Sequence, residues 1–236
     1  MDPMPYDVQG VLFDLDDTLM DHTAASRAAV LEFVAGLPEW PLDEAGTLAR
    51  WYALEDQHFA RYMAGEVTML EQRRARIGGF LELEDAADDL LDTWFSRFLS
   101  GYQANWQPVP GGPELALRLL EEGYRVGILT NGQAAQQRAK LAAIGLTDPR
   151  LVVCVSEELP APKPSPLAFA AACGALGLAP HQVLMVGDSR VNDIDGARSA
   201  GLHAVHVTAE LLTDPDDSVG RIATIADLHR LIGVSI

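Results

Sequence analysis

An apolar run at residues 8–13 ends abruptly in carboxylates, and this transition constrains the fold more than any other feature of the sequence. A short apolar run of this kind is typical of a parallel strand that is buried on both faces. Asp14 and Asp16 follow two residues apart, so an extended backbone would point both side chains in the same direction. Neighbouring carboxylates repel each other unless a cation or a shared proton lies between them. The pair therefore predicts a site for a hard divalent metal ion, with one carboxylate taking part in chemistry.

Polar clusters also follow other apolar runs along the chain. Thr130 and Asn131 end a second run, and Asp188 ends a third, with Asp193 shortly after it. Lys163 lies in a short segment among four prolines. Each cluster falls at or just after the carboxyl end of a predicted strand. In an open doubly wound sheet, ligands bind at that edge.

Strand and helix patterns alternate from about residue 125 to the end of the chain. Strands are predicted at residues 124–129, 151–155, 183–186 and 203–207, and helices at residues 113–122, 133–144, 166–176, 193–200 and 222–231. Ser165 is a suitable N-cap before Pro166, and Gly177 a suitable end for the same helix. Repeated strand–helix units imply an α/β fold with a doubly wound parallel sheet and right-handed crossovers.

Residues 22–105 break this alternation. They contain no convincing strand, and their apolar residues recur at helical spacing. Thr68 and Glu71 form a capping box at the start of one helix. The strongest apolar stripe includes Leu90, Leu91 and Phe95. The sequence therefore predicts a core domain of residues 1–21 and 106–236, with a four-helix domain of residues 22–105 inserted into it.

Composition limits the possible partners and location. The 236 residues carry a net charge of −17, which argues against a nucleic acid polymer as ligand because such binding requires a basic face. A small phosphorylated substrate remains possible, since a metal ion and one lysine reverse the local sign. No stretch is long enough to span a membrane, and residues 1–7 show no secretory signal, so a soluble cytoplasmic protein is predicted. Cys154 and Cys173 are expected to be buried thiols. Nothing indicates the oligomeric state.

In type and order, the four polar clusters resemble the motifs of the haloacid dehalogenase superfamily of phosphohydrolases. The family pattern is Asp-x-Asp-x-Thr, a Thr or Ser after a strand, a Lys, and then Gly-Asp with another Asp downstream. The resemblance covers essentially the whole chain. It implies a Rossmann-like catalytic core and a helical cap inserted after the first motif, where the sequence has its helical insertion.

The resemblance also implies roles for the carboxylates. Asp14 would be the nucleophile that forms an aspartyl phosphate, and Asp16 the general acid that later acts as base. Mg²⁺ would be held by Asp14, by Asp188 and by the backbone carbonyl of Asp16. Asp193 would bind the metal indirectly, through water or as a neighbour of the ligands. Alternatively, Asp193 is the acidic N-cap at the start of a helix, and the two roles are compatible.

The remaining motif residues would contact the phosphoryl group. Thr130 and the backbone amides near Asn131 would hold its oxygens, and Lys163 would neutralise it. A simple polar turn is an alternative for Asn131, and an exposed loop position is an alternative for Lys163.

Asp16 favours phosphoryl chemistry, because the dehalogenase branch of the family lacks an acid at this position. The first hypothesis is a Mg²⁺-dependent phosphatase of a small phosphorylated metabolite, such as a 5′-nucleotidase or a sugar phosphatase. Residues 61–68 loosely resemble the caps of house-cleaning 5′-nucleotidases. A phosphomutase of the same superfamily is an alternative. From a different class, a non-catalytic phospho-acceptor like a response-regulator receiver has similar motifs, but receivers are about half as long and lack the insertion.

Overall fold

The computed structural model describes residues 8–83, 85–209 and 220–232. Residues 1–7, for which the sequence predicts no secretory signal, lie outside these ranges. The chain divides into two compact units. The core unit consists of Met1–Asp21 and Gln107–Ile236, and the helical unit consists of His22–Trp106.

The residues of the core unit that the structure describes form a parallel sheet of six strands. These are β1 (Gly10–Phe13), β2 (Arg125–Thr130), β3 (Val152–Val155), β4 (Val183–Gly187), β5 (His203–Val207) and β6 (Gly220–Ile222). The strand order is β3-β2-β1-β4-β5-β6, with every neighbouring pair parallel. The chain therefore winds outward from β1 to one edge and from β4 to the other. This order confirms the doubly wound α/β class, and its switch point lies between β1 and β4.

The described part of the helical unit contains four helices. They are α1 (His22–Ala35), α2 (Glu44–Met63), α3 (Met69–Leu81) and α4 (Asp88–Ala104). The capping box at the start of α3 is present, with Thr68 and Glu71 bonded reciprocally. Leu91 and Phe95 are buried, but Leu90 is 46% exposed and lies outside the apolar face of α4. No helix within the described ranges is long and apolar enough to cross a bilayer.

The helices of the core unit follow the predicted alternation. They are α5 (Gly112–Glu121), α6 (Ala134–Ala143), α7 (Pro166–Leu176), α8 (Gly196–Ser199) and α9 (Leu228–Ile232). At the start of α7 the Ser165 hydroxyl accepts from the backbone N–H of Leu167, and Gly177 ends the helix at φ 66°. Only glycine adopts that left-handed conformation without a steric penalty. The predicted caps of this helix are therefore confirmed.

Two predicted helices of the core unit differ from the structure. The helix predicted from Asp193 begins earlier, as a π-helical turn Arg190–Asp195 that leads into α8. The helix predicted over residues 222–231 is mostly wrong. Ile222 ends β6, a 3₁₀ turn Ile225–Asp227 follows, and only the last part is helical. A three-residue edge strand is too short for a residue pattern to identify, and its pairing with β5 defines it.

Both cysteines are buried free thiols, as expected. Cys154 and Cys173 pack in one apolar cluster with residues of the sheet and of α7. Burial raises the pKa of the Cys173 thiol to about 11 and also raises that of Cys154. Both thiols therefore stay protonated and serve as core packing.

Candidate active site

Three polar clusters meet at the carboxyl edge of the sheet, because the strands that they follow are neighbours. Asp14 follows β1, the central strand, and its backbone N–H donates to the Val186 carbonyl of β4 at 2.9 Å. Thr130 is the last residue of β2, on the other side of β1. Asp188 comes directly after β4. The sheet thus brings together residues that lie far apart in the sequence.

Three carboxylates are crowded at this edge. Asp14, Asp188 and Asp193 each offer an oxygen, and these oxygens lie within 4.8 Å of one another. Burial, followed by the charge of Asp193, raises the pKa of Asp14 well above its usual range, and Lys163 opposes this. Burial, followed by the charges of Asp193 and Asp17, raises the pKa of Asp188 to about 6. The cluster is short of positive charge, which is the condition under which oxygen ligands bind a hard divalent cation.

Lys163 supplies one positive charge to this cluster. Its ammonium lies 2.7 Å from Asp14 Oδ1 and 2.6 Å from Asp193 Oδ1. The side chain is buried, so the alternative of an exposed lysine in a loop is wrong. Burial alone would lower the pKa of Lys163, but the two carboxylates outweigh it and raise this pKa above its usual value. Lys163 is therefore a permanently charged bridge between two carboxylates.

Asn131 holds the segment that carries Lys163. Its side-chain amide donates to the Lys163 carbonyl at 2.9 Å, and the backbone N–H of Lys163 donates to Asn131 Oδ1, also at 2.9 Å. This reciprocal pair joins the end of β2 to the proline-rich segment. The side chain of Asn131 is thus engaged with the protein itself. Only the backbone near Asn131 remains for the anion-binding role that the resemblance implies.

Asp16 does not share the carboxylate cluster of Asp14. Both of its carboxylate oxygens bind the ammonium of Lys140, at 2.7 and 2.9 Å, and Gln137 donates to Oδ2 at 3.0 Å. The premise of an extended backbone over both residues is not met, because β1 ends at Phe13 and a tight turn follows. Strand alternation therefore does not extend to Asp16.

Gln137 and Lys140 are residues that the sequence analysis missed. Both lie on α6, three residues apart, and each is 2% exposed. The Gln137 amide also donates to the Thr130 hydroxyl at 2.7 Å, so it links Thr130 to Asp16. Their spacing places both side chains on one face of α6, the helix that follows the Thr130 motif. Long polar side chains are rarely buried without a partner, so this spacing could have indicated a shared polar partner at the site.

Asp193 is fully buried, and both of its carboxylate oxygens contact protein groups. Oδ1 meets Lys163, and Oδ2 accepts from the backbone N–H of Ser189 at 3.0 Å. Gly187 makes room for this carboxylate, since a Cβ there would lie 2.2 Å from Asp193 Oδ2. The alternative of Asp193 as an N-cap is wrong, because Ser189 is the N-cap of this helical turn and Asp193 lies in its first turn.

Two further contacts fix Asp188. The Thr18 hydroxyl donates to Asp188 Oδ1 at 3.3 Å, and His206 Nε2 lies 2.7 Å from the Asp188 carbonyl oxygen. His206 belongs to β5, which pairs with β4. No motif in the sequence assigns His206 to the site. Its contact depends on strand pairing rather than on any local motif.

The family model for haloacid dehalogenase-like hydrolases matches residues 8–201. This range includes every motif residue at the sheet edge. The chain belongs to the haloacid dehalogenase-like hydrolase family. It is therefore a hydrolase, and the family membership predicted from the four motifs is confirmed.

Several relatives within this family are phosphatases. The chain is 31% identical over 228 residues to a phosphoglycolate phosphatase of Rhodospirillum rubrum, covering 94% of this chain and 89% of that protein. It is 27% identical to the pyrimidine 5′-nucleotidase YjjG of Escherichia coli, covering 94% and 95%. A crystal structure of the haloacid dehalogenase-like hydrolase YfnB of Bacillus subtilis bound to magnesium has a TM-score of 0.77 at 24% identity, covering 96% and 99%. That structure shows a shared fold.

Proposed function

We propose that this protein is a Mg²⁺-dependent hydrolase of small phosphomonoesters that works through an aspartyl phosphate on Asp14. The observation that carries the proposal is the position of Asp14. This buried carboxylate follows the central strand, contacts the ammonium of Lys163, and lies beside Asp188 and Asp193. The relatives that are phosphatases support the reaction class.

In the first step, an oxygen of Asp14 attacks phosphorus, and the bond from phosphorus to the leaving oxygen breaks. Asp16 gives its proton to that oxygen. In the second step, Asp16 takes a proton from a water molecule, which attacks phosphorus and breaks the acyl phosphate bond. The carboxylate of Asp14 is then regenerated, and inorganic phosphate is released. In the structure Lys140 and Gln137 position Asp16 as an ionised carboxylate, so the acid role requires one of its oxygens to leave Lys140 and take up a proton when substrate binds.

The phosphoryl group would be held by positive charge and by hydrogen-bond donors. Lys163 contacts the nucleophile and would neutralise charge on the adduct. Thr130 and the backbone N–H groups near Asn131 would donate to phosphoryl oxygens, as turns at the ends of strands often do. The side chain of Asn131 would act on Lys163, through the two hydrogen bonds to its backbone.

Asp14, Asp188 and the backbone carbonyl of Asp16 would hold Mg²⁺, with Asp193 as an indirect or water-mediated partner. The donor set fits this ion, since it consists of hard oxygens and is short of positive charge. Once bound, Mg²⁺ would supply charge that reduces repulsion between Asp14 and a phosphate dianion.

The substrate would be a small phosphorylated metabolite, as in the 5′-nucleotidase and phosphoglycolate phosphatase relatives. We propose that the helical unit acts as the cap that selects it. A phosphomutase would use the same residues, but would pass the phosphoryl group back to a sugar instead of to water. The receiver-like alternative is disfavoured, because the matching family consists of hydrolases.

Release of phosphate from p-nitrophenyl phosphate in the presence of Mg²⁺ tests the proposal. Replacement Asp14→Asn should reduce turnover by about 10⁴–10⁶-fold, as is typical when a covalent nucleophile is removed. Asp16→Asn should reduce it by about 10²–10⁴-fold, the usual contribution of a general acid. Asp195→Asn is a matched control on an exposed aspartate that pairs with Arg190, and it should leave turnover unchanged.

The outcomes separate the alternatives. Stable labelling of Asp14 without turnover would favour a phospho-acceptor. Transfer of the label to a sugar phosphate, at a rate above hydrolysis, would favour a mutase. Full activity of the Asp14→Asn protein would contradict the mechanism.

A further inference from the structure

A cavity of about 230 Å³ lies at the amino edge of the sheet in the core unit. Arg125 at the start of β2 and Val152 at the start of β3 line one side of it. Leu120 and Leu176, near the ends of α5 and α7, line the other side. The candidate active site is at the opposite edge, where Thr130 ends β2. The length of a strand therefore separates the cavity from the carboxylate cluster.

The floor of this cavity is apolar, and its rim carries two arginines. The floor includes Leu120, Val126 and Leu176, each at most 8% exposed. Arg125 and Arg150 form the rim, and both are exposed. Sites for small molecules commonly have this composition, because the apolar lining supplies affinity and a few polar groups fix the orientation of the ligand.

The protein holds both guanidinium groups in place. Arg125 Nη1 donates to the Leu176 carbonyl at 2.6 Å, at the end of α7. Arg150 Nε and Nη2 donate to the two carboxylate oxygens of Asp148, at 3.0 and 2.7 Å. The Nε and Nη2 atoms of Arg125 have no hydrogen-bond partner among the residues that the structure describes. A ligand in the cavity thus meets a guanidinium that is already ordered and still has donors to offer.

The two arginines differ in how their charges are compensated. Arg150 pairs with Asp148, and the charge of Glu121, which itself pairs with Arg118, also acts on Arg150. Arg125 forms no ion pair with a carboxylate in the described ranges of the chain. The rim therefore has one positive charge without a counter-charge of its own, which suits a monoanion.

The volume of the cavity limits the size of the ligand. A cavity of about 150 Å³ is sufficient for one benzene ring, so this one has room for a single ring with a carboxylate. A nucleotide is too large, because pockets for ligands of that size typically have about 300–1,000 Å³. Tyr124 also lines the cavity and offers an aromatic ring for contact with the ring of a ligand.

We propose that this cavity is a binding site for a small aromatic monocarboxylate. The ring lies on the apolar floor, where it removes apolar surface from water. The carboxylate presents its two oxygens to the Nε and Nη2 donors of Arg125, whose parallel arrangement matches a planar acceptor. The proposal does not depend on the proposed phosphatase function, because none of the residues that line the cavity belongs to the candidate active site.

Fluorine NMR of para-fluorobenzoate with the full chain tests the site without reference to activity. Binding is measured from the broadening of the ligand signal, and we expect it to be saturable. The neutral control is para-fluorobenzyl alcohol, which has the same ring without the charge. It should bind at least about 10-fold more weakly, since it cannot form the charged hydrogen bonds.

Replacement of Arg125 tests the proposed carboxylate contact. Arg125→Met should weaken binding of para-fluorobenzoate by about 10–100-fold, as for a lost bidentate charged pair. Arg138→Met is the matched control, because Arg138 is an exposed arginine of the core unit that pairs with Glu158 and does not line the cavity. This control should keep the wild-type affinity.

A second variant keeps the test decisive if Arg125→Met folds poorly, since that change also removes the bond to the Leu176 carbonyl. Ala175 lines the cavity from α7 and is exposed, so Ala175→Leu fills part of the volume and keeps both arginines. This variant should lose binding of para-fluorobenzoate. Ala142→Leu, at an exposed position of α6 away from the cavity, is its matched control and should bind as the wild type does.

Loss of binding in Arg125→Met and Ala175→Leu, with retention in both controls, would support the proposal. Absence of saturable binding to the wild type would overturn it. Equal binding by the wild type, Arg125→Met and Ala175→Leu would also overturn it, because the probe would then bind elsewhere. Equal affinity for the acid and the alcohol would exclude a carboxylate site. No phosphate ester is present in this assay, so a failure of the proposed function would leave its result unchanged.

Discussion

The two units of the chain each bury a cation, and they treat it differently. In the core unit, Lys163 is within hydrogen-bonding distance of two carboxylates. In the helical unit, Arg76 has one carboxylate partner, and its Nε and Nη2 atoms have no hydrogen-bond partner among the described residues. Lys163 thus compensates two buried negative charges, whereas Arg76 compensates one and keeps unsatisfied donors. Removal of Lys163 should therefore cost more stability than removal of Arg76, and this difference can be tested.

Replacement of Lys163 should have the largest effect on stability. Lys163→Met leaves Asp14 and Asp193 buried without a counter-charge, and we expect a loss of about 3–5 kcal/mol in the free energy of unfolding. Urea unfolding with and without Mg²⁺ is the measurement, and Mg²⁺ should restore part of the loss. Arg138→Met is the control, since it removes an exposed ion pair with Glu158 and should change stability by less than about 1 kcal/mol. Equal losses in the free energy of unfolding for Lys163→Met and Arg138→Met would contradict the claim that Lys163 compensates buried charges.

Replacement of Lys140 should have a smaller effect, and we expect it in the turnover rate. Lys140→Met removes the cation that holds Asp16, so we expect p-nitrophenyl phosphate hydrolysis to slow by about 10–100-fold, as for other residues that orient a catalytic group. Lys140→Arg keeps the charge and should recover most of the rate. Unchanged turnover in Lys140→Met would show that Asp16 needs no anchor on α6.

The helical unit should tolerate loss of its buried cation. Arg76→Met removes an ion pair and a stacking contact, but it also removes two unsatisfied buried donors. These effects oppose each other, so we expect the free energy of unfolding to change by no more than about 1 kcal/mol. The same urea experiment measures it. A loss as large as that of Lys163→Met would mean that Arg76 is already fully satisfied.

The smallest expected effect is on the pH dependence of stability, and its sign differs between the units. The pKa of Asp188 is about 6 in the folded chain, against an ordinary value of 3.8. Between these values the folded state binds more protons, so the stability of the metal-free protein should fall as pH rises from about 4 to about 6. For His58 the pKa in the folded chain lies below 6.5, so the contribution of His58 to stability falls as pH decreases.

Urea unfolding at a series of pH values, with Asp188→Asn and His58→Gln, separates the two contributions. Saturating Mg²⁺ should reverse the first, because its ligands must be ionised. If Asp188→Asn leaves the slope between pH 4 and pH 6 unaltered, the assignment to this carboxylate is wrong.

Much of the fold could be predicted because its signals are local. The run before Asp14, the caps of α7 and the capping box of α3 each depend on a few adjacent residues. The meeting of Asp14 and Asp188 followed from one general rule about parallel sheets.

The remaining features depend on contacts across the fold. Lys140 meets Asp16, and His206 meets Asp188, only because distant elements pack together. Whether a buried arginine lacks a partner, as Arg76 does, also depends on what packs around it. None of these contacts leaves a pattern in neighbouring residues.

The position of β1 has a consequence for the nascent protein. This strand is made first, yet its neighbours in the sheet begin at Arg125 and Val183, so the whole helical unit is synthesised before either partner exists. During translation this apolar segment remains unpaired, and unpaired apolar segments are prone to aggregate or to bind chaperones. Assembly of the centre of the sheet is therefore delayed until most of the polypeptide has left the ribosome.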